Sequence, residues 1–129
     1  MSQKASLQTP RAKVRHLGSA RGGTLDAWRL RLTSFALVPL TIAFVVIVLS
    51  LIGRDYDHAK ALLGSSCPAI LLILFIGAGV WHMSIGMKAV IDDYIHSEHL
   101  KSLALMANSL FSAVLGLSCI YAVFRLSFL

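Results

Sequence analysis

The chain has 129 residues, of which 57% are hydrophobic and 14% charged, and its mean hydropathy is +0.75. Six acids and twelve bases cannot cover the surface of a chain so rich in Leu, Ile, Val and Ala, so the composition excludes an ordinary soluble domain and points to a membrane as solvent. The net charge of +6 does not read as a nucleic-acid patch: seven of the twelve bases lie in the first 31 positions, ahead of the first apolar run, which is a topology signal. Two cysteines, Cys67 and Cys119, are too few for the four thiolates of an iron-sulfur cluster or a structural zinc site, and no GxGxxG or GxxxxGK[ST] string is present. Chemistry that needs a flavin, a nucleotide or a cluster therefore has to come from another chain.

Residues 1–31 form an arm whose bases are interrupted by Gly18, Gly22 and Gly23, and it is predicted to be extended or irregular. Residues 32–129 then hold three uncharged stretches, of 22 residues between Arg31 and Arg54, 27 between Lys60 and Lys88, and 23 between Lys101 and Arg125. Each exceeds the roughly 20 residues that cross a bilayer as a helix. The fold class is all-α, with three transmembrane helices predicted over about 32–52, 68–91 and 102–124. Pro39 falls inside the first, where it removes a backbone donor, and Pro68 suits the first turn of the second.

Lys4, Arg11, Lys13, Arg15, Arg21, Arg29 and Arg31 precede the first helix, and Lys88 and Lys101 flank the connection between the second and third. Those nine are expected in the cytoplasm, against Arg54, Lys60 and Arg125 on the other side. The predicted topology has the N-terminus cytoplasmic and the C-terminus periplasmic. The apolar stretch starts too late and runs too long for a cleaved signal peptide, so the arm is expected to stay attached.

The second helix carries polar residues that need a reason to be there. His82 lies nine residues before Ile91, the last apolar residue of the run, which places it on the order of 13 Å deep, near the bilayer midplane. At about 100° per residue, Ala78, His82 and Gly86 share a stripe with Gly79 beside them, so the imidazole projects from a face with little bulk around it. One reading is close helix packing, with His82 hydrogen-bonded to a neighbouring helix. The other is an axial haem ligand. His16, His58, His96 and His99 all lie in the arm or the loops, so a second histidine ligand at that depth has to come from another chain.

Asp93 lies eleven residues beyond His82, about 20° from the same face and roughly 16 Å nearer the cytoplasm. Asp92, Asp93 and Tyr94 can be an interfacial cap with a belt aromatic. Equally, a phenol and a carboxylate beside a redox centre suit a quinone, whose carbonyls take a hydrogen bond and, on reduction, protons. Arg31 is either a positive-inside anchor or the partner of a haem propionate.

The string His82-Met-Ser-Ile-Gly86-Met87, followed by Asp93-Tyr94 with the tyrosine twelve residues after the histidine, resembles the second helix of the small hydrophobic membrane anchor of succinate dehydrogenase (respiratory complex II). Gly18-Ser-Ala-Arg21-x-Gly23-Thr24, Trp28-x-x-Arg31-x-Thr33 and Val38-Pro39-Leu40 are similar to the arm and first helix of alphaproteobacterial and mitochondrial-type members. Coverage runs from about His16 to the C-terminus, with the third helix matching only in character. The resemblance implies that His82 is one axial ligand of a haem b, binding its iron, with the second ligand supplied by the partner anchor, the succinate dehydrogenase cytochrome b subunit. It further implies that Tyr94 hydrogen-bonds ubiquinone, that Asp93 belongs to the same quinone region and is the candidate for proton delivery, and that Arg31 lies near a haem propionate. FAD and iron-sulfur clusters would reside only in the flavoprotein and iron-sulfur partner subunits, so this chain carries out no dehydrogenation itself. One departure stands out: many relatives place a histidine shortly before the aromatic of the arm, where this chain reads Thr24-Leu25-Asp26-Ala27-Trp28.

The function expected is therefore that of a membrane anchor of a succinate:ubiquinone oxidoreductase in the bacterial inner membrane, or in the mitochondrial inner membrane as the alternative, with lipid and ubiquinone but no nucleic acid among its partners. The rival readings are the anchor of a quinol:fumarate reductase and a haem-free structural membrane protein in which His82 only packs.

Overall fold

The computed structural model describes residues 22–128. The part of the predicted arm before residue 22, His16 included, lies outside the described residues. Four helices follow in chain order: α1 Gly22–Leu51, α2 Tyr56–Gly64, α3 Ser66–Tyr94 and α4 Glu98–Phe128. No strand occurs among the described residues. Three of the helices, α1, α3 and α4, are long and apolar enough to cross a membrane, so the chain is a multi-pass, all-α membrane protein.

Each spanning helix runs past at least one limit of its uncharged stretch, α1 at its start, α3 at its end and α4 at both. The chain is already helical from Gly22, ten residues before the predicted start, so Arg29 and Arg31 sit on α1 itself. Long basic side chains can turn back toward water from a helix that continues beyond the hydrocarbon, so charge ends the apolar segment without ending the helix. Pro39 lies inside α1, which continues through it. Pro68 falls in the first turn of α3, behind Ser65 at the N-cap. Gly53, at φ 74, takes the left-handed turn after α1 that other residues adopt only at a cost.

The predicted outer loop contains a helix. The nine residues of α2 pack against α4 and the start of α3, and Gly64 makes this possible because a Cβ there would lie 2.7 Å from the Leu126 carbonyl oxygen.

The central helix is α3. It packs along both α1 and α4, which have no comparable contact with each other, so the three spans lie side by side in a row. Gly79 faces Leu37 of α1, and Phe75 stacks on Phe44 of α1 with ring centroids 4.7 Å apart. On the opposite side, Val80 packs on Gly116 of α4, whose missing Cβ would meet Val80 Cγ1 at 3.5 Å. The buried core is small, comprising Ile47, Ala69, Ile91 and Val123 with Thr33 and Ser112, while large apolar residues such as Phe35 and Leu117 are exposed, as befits a chain whose outer faces meet lipid or other subunits.

Candidate functional site

His82 is the seventeenth of the 29 residues of α3, which puts it in the middle of that span. Its ring turns to α1, where Nδ1 lies 3.0 Å from Thr33 Oγ1. Thr33 is buried, and its Oγ1 also lies 2.9 Å from the Arg29 carbonyl and 3.0 Å from the Leu30 carbonyl of the preceding turn. Among the described residues, none hydrogen-bonds His82 Nε2. A Cβ at Gly86, one turn along α3, would meet nothing within 4 Å, and one at Gly79 would meet only the end of Leu37 at 3.9 Å. The imidazole thus does hydrogen-bond a neighbouring helix through one nitrogen, and the other is unpaired among the described residues.

Toward the C-terminal end of α3, charge is paired. The Lys88 ammonium donates to Asp26 Oδ2 of α1, and Arg29 approaches the same carboxylate at 3.6 Å. This acid occupies the segment in which the sequence departs from its expected pattern. Lys101 of α4 pairs with Asp92 at 2.8 Å and reaches the Asp92 carbonyl at 3.4 Å, fixing the end of α3. Beside the Asp26–Lys88 pair, a cavity of about 320 Å³ is lined by Asp26, Arg29, Trp81, Ser84, Lys88 and Asn108 among others, and the Asn108 amide donates to the Ser84 carbonyl at 3.0 Å.

The other sequence-derived candidates lie apart from this seam. Tyr94 is the last residue of α3 and is 79% exposed. Asp93 beside it is exposed, as are His96, His99 and, at the opposite end of the molecule, His58. Arg31 is exposed, and its position two residues from Thr33 puts it about 200° round α1 from the face that meets α3. No group of three or more His, Cys, Asp or Glu side chains that could hold a metal ion occurs among the described residues, and His82 is the only described histidine in the middle of a span.

Sequence reasoning named Thr33 only within the resemblance of the first helix, with no role, and read Lys88 as a topology marker. The signal for Lys88 was available: an ammonium six residues from a midplane histidine needs a partner, and Asp26 is the only acid before Asp55.

Residues 5–117 match the model of the family described as succinate dehydrogenase/fumarate reductase transmembrane subunit. The chain belongs to that family. It is 31% identical over 118 residues to the succinate dehydrogenase hydrophobic membrane anchor subunit of Paracoccus denitrificans, covering 92% of this chain and 91% of that one. With the protein of the same name from Rickettsia bellii (strain RML369-C) it shares 28% identity over 112 residues, 87% of this chain and 90% of that one. No solved structure matches the chain.

Besides the Asp26–Lys88–Arg29 cluster between α1 and α3, two further sets of polar groups stand out among the described residues. One is the Thr33–His82 pair in mid-membrane, and the other is the group of charges and phenol around the α3–α4 connection, where Asp92 is held by Lys101 while Asp93 and Tyr94 remain exposed.

Proposed function

We propose that this chain is the hydrophobic membrane anchor of a succinate:ubiquinone oxidoreductase, with its N-terminus and the α3–α4 connection in the cytoplasm. There it docks the flavoprotein and iron-sulfur subunits, and within the membrane it pairs with the cytochrome b subunit. The observation that carries the reading is His82, held through Nδ1 in the middle of a span, with Nε2 unpaired among the described residues and the open position Gly86 one turn along the same helix. Those residues fit a haem b shared with the partner anchor: this chain provides one imidazole lone pair and space next to it, and the partner provides the second ligand. When bound, such a haem supplies a one-electron reservoir next to the quinone pathway. Arg31, exposed on α1, offers a guanidinium to a propionate across the interface between the two anchors.

The chain's own chemistry toward ubiquinone lies at the end of α3. The Tyr94 hydroxyl donates to a quinone carbonyl, and its hydrogen bond strengthens as that oxygen gains negative charge. Asp93, exposed next to it, exchanges protons with water and passes them toward the reduced quinone. Asp92, tied to Lys101, holds the helix end that carries both. Electrons from succinate arrive from the flavin and clusters of the partner subunits. The family takes in fumarate reductases too; the two relatives described above are both succinate dehydrogenase subunits, which favours succinate oxidation.

The test is a reduced-minus-oxidised spectrum of the assembled complex. His82→Ala is expected to remove or alter the haem b band, and His58→Ala, in the helix at the other end, to leave it unchanged. A wild-type spectrum for His82→Ala ends the ligand assignment.

A further inference from the structure

We infer that Thr33 is a positioning residue for His82: its hydroxyl accepts the Nδ1 proton and so fixes the neutral imidazole as the tautomer whose lone pair is on Nε2. The inference rests on His82 being an axial ligand, and it assigns to α1 a part in that ligation. The decisive step is a proton count. Thr33 Oγ1 has one hydrogen and three neighbours within bonding distance: the Arg29 carbonyl at 2.9 Å, the Leu30 carbonyl at 3.0 Å and His82 Nδ1 at 3.0 Å. The two carbonyls can only accept, so a hydroxyl that donates to one of them and accepts from Nδ1–H makes two hydrogen bonds, whereas one that donates to Nδ1 makes a single one. The Leu30 carbonyl already accepts from Ser34 Oγ at 2.8 Å, which leaves Arg29 as the better recipient. The imidazole is then the donor to Oγ1, and the larger number of bonds favours the tautomer with the proton on Nδ1.

Burial of the hydroxyl favours the arrangement. Thr33 is 6% exposed, so water has little access to Oγ1, and an Nδ1–H left unpaired within a membrane span is costly. The β-branched side chain, back-bonded to its own helix, has little rotational freedom, so the acceptor stays where the ring needs it. The bonds also run in series, from Nδ1–H to Oγ1 and from Oγ1–H to the Arg29 carbonyl, and each polarises the next. A histidine whose second nitrogen donates to an acceptor is a more basic ligand, which favours the ferric over the ferrous state.

The experiment uses the whole membrane complex and three variants: Thr33→Val, which keeps shape and removes the hydroxyl, Thr33→Ser, which keeps the hydroxyl and drops a methyl, and His82→Ala. Haem per assembled complex and the haem midpoint potential are read together. The potential is measured on whatever fraction assembles and is independent of yield. Thr33→Val is expected to shift the ferric/ferrous ratio at fixed ambient potential about threefold toward ferrous, an upward change of about 28 mV at 59 mV per tenfold for one electron, with looser haem. Thr33→Ser is expected to restore the wild-type potential. A Thr33→Val complex with wild-type potential and haem content, while His82→Ala loses the haem, overturns the inference and leaves the ligand assignment standing. A Thr33→Ser potential displaced as far as that of Thr33→Val also overturns it, since packing would then be the cause. Wild-type haem in His82→Ala removes the ligand assignment itself, and the inference with it.

Discussion

Gly86 is the position at which the space beside His82 can be tested without disturbing the chain's own packing. It lies one turn from His82, and an added Cβ there finds nothing within 4 Å in this chain. Within the three-helix row the first carbon of Gly86→Leu is therefore unobstructed, and replacing glycine inside a helix lowers the entropy cost of folding. If a haem macrocycle shares that notch, the four added carbons compete with it for volume. Forcing extra methylenes into filled space costs typically about 1 to 3 kcal/mol, and at 1.4 kcal/mol per tenfold that is roughly 5- to 150-fold weaker haem retention. The assay is the ratio of haem to assembled complex in purified membranes, beside Gly79→Leu, where Leu37 lies 3.9 Å from the added carbon and the expected loss is in assembly. Full haem per complex in Gly86→Leu refutes the reasoning. So does reduced assembly with a normal haem ratio in what remains, because a partner helix and not the cofactor would then cover the notch.

Tyr94→Phe keeps the ring at the interface and removes the donor, so succinate:ubiquinone reductase turnover is expected to fall on the order of a hundredfold, about 3 kcal/mol, while succinate oxidation by a soluble dye is unchanged; equal turnover makes Tyr94 a belt residue. Gly64→Ala would place a carbon 2.7 Å from the Leu126 backbone oxygen and is expected to lower the Tm of the purified complex, whereas Gly116→Ala, at 3.5 Å from Val80 Cγ1, meets only ordinary contact and is expected to hold or raise it. Identical melting of the two variants counts against the packing of α2 on α4.

The spans were legible because a bilayer imposes one requirement, some 20 residues without charge, and three windows meet it. Their ends were not, because charge marks where hydrocarbon stops and says nothing of where the helix stops, so the Arg29 and Arg31 segment read as arm while being helix. α2 escaped notice for a similar reason. Nine residues between Asp55 and Ser65 are too short for a clear period, and what holds them is the end of α4, more than sixty positions away. The midplane histidine was visible from depth alone. Its partner was not, since Thr33 looks like any hydroxyl in an apolar run until the rotation of α1 against α3 is known.

That rotation is itself set by a bracket of contacts. Asp26 lies seven positions before Thr33 and Lys88 six positions after His82, about 10.5 and 9 Å along two antiparallel helices, a difference the lysine stem absorbs. On the other side, Leu37 is four positions after Thr33 and Gly79 three before His82, about 6 and 4.5 Å, and beyond them Phe44 stacks on Phe75. A shift of one residue turns α1 by about 100° and separates all of these pairs together. The buried hydroxyl thus meets the imidazole because an ion pair at one end and an aromatic stack at the other allow no other register. The departure at Asp26 acquires a physical meaning here: the charge of this acid is committed to Lys88 and Arg29 across the α1–α3 seam, so its contribution is to hold α1 in register.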